Sequence, residues 1–329
     1  LSQWVKFANS LRLRLAIRVS MSAPDLARAE VAKAMDATAG GVLESADETV
    51  AVSTESGYKN PLGTVNEGWG EVFMGATMES VLVGYNDPRL IKYYSKAEGG
   101  DIKDEKGNLI IAERNKIAGT YKGVPQGTGV TVKDENRYRL HSKSTITKQT
   151  DAILMTAAEV WFLRAEAALR GFTSENVKDC YEKGITVSCQ QWGVNVGDYL
   201  TSDATPSDYV DAFEAKYDVK ALIKVTPKWD GGASPEEQLE RILTQKWIAC
   251  YPEGYEAWTE QRRTGYPQLF KVFVNNSGGA IDTDIRIRRL PYPSDIQKNN
   301  PTQYSALKKA LGGEDNGGTR LWWDTGRNF

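Results

Sequence analysis

The stretch ESGYKNPLGTVNEGWGE sets two aromatic side chains, Tyr58 and Trp69, among Asn60, Asn66 and Glu67, in a segment punctuated by glycine and proline. That mixture suits a pyranose ring. An aromatic face stacks on the apolar side of the sugar, while amides and carboxylates hydrogen-bond its hydroxyls. Such a site is shallow and leaves no fixed motif. Trp229 and Asp230 in KWDGG form a second candidate of the same kind, and Trp322 and Trp323 in TRLWWDT a third. For each tryptophan the plainer account is packing, because large aromatics are mostly buried. Adjacent residues of an extended tail point to opposite sides, so only one of Trp322 and Trp323 can face a ligand. The pair is expected to latch the C-terminus onto the core, which leaves Tyr58, Asn66, Glu67, Trp69, Trp229 and Asp230 as the expected ligand-binding residues.

Groups able to carry out a reaction are sparse. The single histidine, His141, lies in NRYRLHSKST with no nucleophile pattern around it, and reads as a surface or structural residue. A glycosidase needs two carboxylates across a sugar ring. Acids are plentiful at Glu253, Glu256, Glu260, Asp282 and Asp284, yet spacing establishes no pair. On one helix Glu253, Glu256 and Glu260 share a face, which reads as a solvated surface partnering Arg262 and Arg263. DIKDEKGNL carries acids around a glycine, but Lys103 breaks the alternation of oxygen ligands that a calcium loop needs, and a solvated β-turn explains it. IDTD is no stronger. Arg286, Arg288 and Arg289 alternate with Ile285 and Ile287, as on an extended stretch with one wet side. Surface charge or internal pairing accounts for them, although an arginine fork also bridges adjacent sugar hydroxyls. No catalytic residue, metal site or cofactor is expected.

The elements that must position these residues follow from composition and periodicity. The 329 residues carry Lys+Arg 41 against Asp+Glu 43, a net charge of −2 that offers no potential for a phosphate backbone, so nucleic acid is not an expected partner. No run reaches the ~18 apolar residues of a membrane span. Three cysteines, Cys180, Cys189 and Cys250, form no C-x-x-C pair and read as buried thiols. At the start, Trp4, Phe7, Ala8, Leu11, Leu15 and Val19 recur at helical spacing, and Pro24 opens a second helix through Met35 closed by Gly40-Gly41. Residues 42–150 read as loops with short strands or helices. DAILMTAAEVWFLRAEAALRGF, rich in small residues, and SENVKDCYEKGITVSCQQWG, with Ser174 as a possible cap, form an antiparallel helical pair. Ser234, Pro235, Glu236 and Glu237 specify the start of the next helix, and EGYEAWTEQRRTGYP resumes after Pro252. NNSGGAIDTDIRIRRLPYP suggests an extended stretch, followed by a short helix at PTQYSALKKALGG.

WVKFANSLRLRLAIRVS, GYNDPRL, TAAEVWFLRAEAALRG, QKWIACYPEGYEAWTEQRRTGYP, RRLPYPSDIQKNN and TRLWWD resemble, in order, successive blocks of the SusD/RagB family, in particular its second SusD-like subfamily. The resemblance implies a mainly α fold of tetratricopeptide-type hairpins with a loop-rich insertion and a few short strands. It implies one domain without its N-terminal part: a helical hairpin at 1–40, a loop-rich ligand-binding region at 41–150, helices resembling tetratricopeptide repeats at 151–265, and C-terminal loops, a short helix and the tail at 266–329. Family members are lipoproteins on the outer face of the Gram-negative outer membrane. They bind glycans without catalysis and cap a TonB-dependent SusC-like transporter, so a glycan and that transporter are the expected partners. Family precursors begin with a signal peptide, a lipid-accepting cysteine and further hairpins, so the chain is expected to be the C-terminal portion of a longer protein, attached to the membrane only through an anchor outside these residues. A helical scaffold that docks the transporter without a sugar site, and a glycoside hydrolase, are the alternatives.

Overall fold

The computed structural model describes residues 1–129 and 136–329. In chain order the described residues form α1 (Ser2–Arg18), α2 (Pro24–Ala34), β1 (Val50–Val52), α3 (Pro61–Gly63), α4 (Ala76–Gly84), α5 (Leu90–Tyr93), β2 (Ile102–Lys103), β3 (Leu109–Ile111), β4 (Ala152–Met155), α6 (Ala157–Leu169), α7 (Val177–Gln191), α8 (Pro235–Ala249), α9 (Gly254–Thr264), α10 (Ser294–Asn299) and α11 (Pro301–Leu311). The fold is mainly helical, with two small antiparallel pairs, β1–β4 and β2–β3.

Two helical hairpins, α1–α2 and α6–α7, build the centre, and α8 closes over α6 and α7. One core joins Leu13 and Ile17 of α1, Val160 and Phe162 of α6, Tyr181 and Ile185 of α7, and Ile242 and Ile248 of α8. Small residues allow the close approach. Gly184 of α7 faces the ring of Phe162 so tightly that a Cβ there would sit 2.8 Å from the ring. The three cysteines are buried free thiols.

Local chemistry explains the well-specified ends. In α8, Ser234 Oγ accepts from the Glu237 amide while Glu237 reaches back to the Ser234 amide, a complete capping box with proline at the first helical position. Gly265 ends α9 with φ 81°, which glycine adopts without steric cost. In α7 the cap is Asn176, not Ser174: its side chain accepts from the Asp179 amide. The segment expected as one helix from Asp151 begins instead as β4. Thr156 then caps α6 by accepting from the Glu159 amide at 3.1 Å.

α1 corrects the apolar-face reading. Trp4 is 70% and Leu15 52% exposed, whereas Leu13 and Ile17 are fully buried. The inward face also carries Arg14 and Arg18. Arg14 grips Glu159 of α6 through Nε at 2.7 Å, and Arg18 meets Glu256 of α9 at 2.6 Å. Carboxylates on the facing helices make a charged stripe an interior one. The network continues through Lys246, 3.0 Å from Glu256 and 3.2 Å from Glu260, to Arg263 and Glu166. Glu256 and Glu260 are therefore interior, not a solvated face. Burial opposes their charged forms, but Arg263 and Lys246 beside Glu260, and Lys246 beside Glu256, hold both carboxyls below the usual range.

The stretch around Ile281–Leu290 pairs with no strand. It turns where Asp282 Oδ1 accepts from the amides of Asp284 and Ile285, then runs across α9. Arg288 and Arg289 are buried and paired with Asp324 and Asp315. The tail is tied down through Asp324, which Arg288 and Arg320 share, and through Asn328, whose amide reaches Glu236. Trp323 lies beneath the Arg262 guanidinium, but Trp322 is 69% exposed. Of the expected latch, Trp323 belongs to the anchorage and Trp322 does not.

Candidate functional site

The segment from Ser53 to Trp69 lies against residues 144–151. Asn60 caps α3 by accepting from the Leu62 amide and also donates to the Thr150 carbonyl at 3.0 Å. Residues Thr64–Trp69 form a π-helical turn that ends at Gly70 in the left-handed region. Within it the Asn66 amide donates to the carbonyls of Ser144 and Ile146, both at 2.8 Å, and Glu67 accepts from the Lys148 amide at 2.7 Å. A loop's polar side chains first satisfy its own backbone and that of its neighbour. The aromatic residues of this segment stay available: Trp69 is 61% and Tyr58 39% exposed.

Trp229 and Asp230 lie elsewhere. The indole sits 5.1 Å from the ring of Tyr181 on α7, partly buried against the core. Asp230 accepts from the Gly232 amide at 2.9 Å and stabilises its own turn. None of the six expected residues lines either of the two cavities described next.

The larger cavity is a cleft of about 780 Å³. Its walls are the start of α4 at Gly75–Met78, the outer face of α9 with Trp258 and Gln261, Trp247 of α8, and the irregular segment from Leu269 to Ile287. Trp258 is fixed in orientation, since its Nε1 donates to the Ile287 carbonyl at 3.1 Å and the Arg262 guanidinium stacks on its ring at 3.6 Å. Phe270 is pinned to α4 by its amide, which donates to Thr77 Oγ1 at 3.0 Å. Gln126, Asn275, Asn276 and Asp282 add polar groups to this mostly aromatic and aliphatic lining. Apolar walls with a few placed amides are what a sugar ring requires. The sequence names every one of these residues but gives no signal that α4, α8, α9 and the 269–287 segment meet.

Potential reacting groups are committed elsewhere. His141 is 2% exposed, wedged between Tyr138 and Phe213 at 5.0 and 6.0 Å, with neither ring nitrogen hydrogen-bonded among the described residues. It is a structural residue, not a surface one. Burial, with the nearby Lys122 ammonium, pushes its pKa down to about 3, so it stays neutral. Glu256 and Glu260 are bound to Lys246, Arg18 and Arg263. Asp104 in DIKDEKGNL accepts from the amides of Lys106 and Asn108 and shapes the β2–β3 turn. Among the described residues no cluster of histidine, cysteine and acids is arranged to hold a metal, and no helix is long and apolar enough to cross a membrane.

The SusD-like family, SusD and RagB outer membrane lipoproteins, matches residues 1–324. A SusD homologue from Bacteroides vulgatus is 53% identical over 100% of this chain and 64% of its own, with a TM-score of 0.90. A chitin-binding SusD homologue from Flavobacterium johnsoniae is 37% identical over 99% of this chain and 64% of its own, with a TM-score of 0.88. A SusD homologue from Bacteroides thetaiotaomicron is 34% identical over 99% and 66%, with a TM-score of 0.85. The chain thus spans about two thirds of the length of these structures. No curated protein gives a significant match.

Proposed function

The chain belongs to the SusD-like family of SusD and RagB outer membrane lipoproteins, and from that membership we propose that it binds an oligosaccharide or polysaccharide at the outer face of the cell and delivers it, chemically unchanged, to a TonB-dependent SusC-like transporter. The observation that carries the reading is the cleft in which Trp247, Trp258 and Phe270 stand among Gln126, Gln261, Asn275 and Asn276. Stacking and amide hydrogen bonding there hold a sugar without touching its glycosidic bond. Binding of chitin by a relative of 37% identity supports a glycan as the class of ligand.

Trp69 and Tyr58 serve in this reading as an outlying platform, whose exposed rings extend the contact beyond the cleft. Gly75 at the cleft wall follows Trp69 by six positions, a reach of at most ~20 Å along extended chain. Trp229 and Asp230 contribute to a different face. The role is binding and hand-over, with no catalytic residue: Glu256 and Glu260 of α9 are held in the ion network, and Asp282 in the cleft accepts from the amides of its own turn.

Electrophoresis through gels that contain a panel of polysaccharides tests the proposal. Retardation by at least one of them, with the sugar recovered at its original chain length, is the expected outcome. Shortened sugar with new reducing ends would make the protein a hydrolase, and retardation by none would leave a scaffold that only docks a transporter.

A further inference from the structure

A smaller cavity of about 280 Å³ opens beside the cleft, and Gln261, Leu269 and Arg286 line both. Its other walls carry Arg262, Arg263, Arg288 and Arg320 against a single lining carboxylate, Asp284. Most of that charge has no internal counterpart. Arg263 is matched by Glu166 and Glu260, but Arg288 and Arg320 share the one carboxylate of Asp324. Arg262 and Arg286 pair with no acid among the described residues. Arg262 donates to the Arg288 carbonyl at 2.6 Å and to Thr259 Oγ1 at 3.0 Å, and its buried Nε has no partner. Arg286 donates to Gln126 Oε1 at 2.9 Å and to the Phe270 carbonyl, both neutral acceptors.

Two further observations single the place out. Burial, with the like charges of Arg18 and Arg288, lowers the Arg262 guanidinium to about 10 against the opposing pull of Asp324 and Glu256, and burial lowers Arg286 too. Arg286 also holds φ at 65°, a left-handed conformation that a residue with a Cβ adopts at a cost. The strained backbone sets the one arginine common to both cavities at their junction. Its neighbour Asp282 is engaged by the amides of Asp284 and Ile285.

We propose that this basic annex receives the carboxylate or sulfate group of an acidic sugar residue, with Arg286 as the receiving fork, so that the glycan taken by the cleft is anionic. Guanidinium groups match the oxygens of either anion in paired, charge-assisted hydrogen bonds. The inference rests on the glycan-binding reading and narrows it. General attraction does not explain such a preference, since the chain's net charge is −2.

Calorimetric titration with polygalacturonate, dextran sulfate, dextran and chitin oligosaccharides at fixed ionic strength tests it, the first two separating carboxylate from sulfate. At least one acidic chain should bind about tenfold or more tightly than the neutral ones, with an affinity that falls as salt rises. Arg286→Gln should reduce that affinity about tenfold or more. Arg286→Gly should do the same while suiting the left-handed backbone, so that loss of binding with an unchanged melting temperature cannot be ascribed to unfolding. Equal or tighter binding of dextran or chitin oligosaccharides overturns the inference and leaves glycan binding standing. Acidic binding unaffected in both variants overturns the assignment to Arg286, and binding of no glycan removes both readings.

Discussion

Arg263 and Glu166, 97 residues apart in sequence, meet in a two-pronged ion pair with both nitrogen–oxygen distances at 2.7 Å and about 1% exposure on either side. The pair joins α9 to α6, and α9 is also the wall of the cleft that carries Trp258 and Gln261. The geometry of the candidate site therefore depends on a buried electrostatic contact behind it.

Removing one partner leaves the other buried and uncompensated, which is far costlier than losing an exposed pair. Glu166→Ala is expected to destabilise the protein by about 3 kcal/mol or more, because Arg263 keeps only Glu260 and Arg170 loses the buried carboxylate it pairs with. Denaturant melts of the variant and of wild type check this.

Acid should weaken the same network. Glu166, Glu256 and Glu260 have folded pKa values below their ordinary ones, so the unfolded chain takes up protons first as pH falls. Their contribution is fully present above about pH 4.3 and is lost as pH drops below it. Melting temperature against pH should fall steeply on that limb, and less steeply when Glu166 is already absent.

His141 predicts a second, milder limb. With a folded pKa near 3, it stays neutral while the unfolded histidine, at about 6.5, accepts a proton. Stability should decline by about 1.4 kcal/mol per pH unit from about 6.5 downward. In His141→Phe that slope should vanish between pH 6.5 and 4.5, and an unchanged slope would show that another group titrates there.

Much of this organisation was legible in the chain. Ser234 with Pro235 and Glu237, Gly265, and Asp104 act through neighbours a few residues away, and each sits where local chemistry places it. The ion network was not legible, because Arg14 and Glu159 are 145 residues apart and a charged side chain looks solvated until its counter-ion is known. The same limit applied to the site. Composition offered Trp69 and Tyr58 as candidate ligand contacts, and both rings are exposed, yet it could not show that Asn66 and Glu67 serve residues 144–148, nor that Trp258 and Phe270 line one cleft.

Helix approach in the α6–α7 hairpin gives a packing prediction. A methyl group at Gly184 would press on the Phe162 ring, itself fully buried, so Gly184→Ala should cost about 1–3 kcal/mol despite the better helix propensity of alanine. Equilibrium unfolding measures it, and a gain in stability would mean the ring has room to move.

The tail separates its two tryptophans. Trp322→Ala, at an exposed position, should change stability by no more than about 0.5 kcal/mol, whereas Asp324→Ala leaves Arg288 buried without its carboxylate and should cost about 3 kcal/mol. Thermal melts of the two variants distinguish an anchorage through Asp324 from one through the indoles.

The most direct test of the account is titration calorimetry of the wild-type protein and Trp258→Ala with neutral and acidic oligosaccharides. The account predicts saturable binding to at least one of them and a loss of about tenfold or more in the variant, as stacking on an aromatic ring contributes about 1–3 kcal/mol in comparable ring-stacking contacts. Folded protein that binds none of these sugars, or that binds one equally well without Trp258, would contradict it.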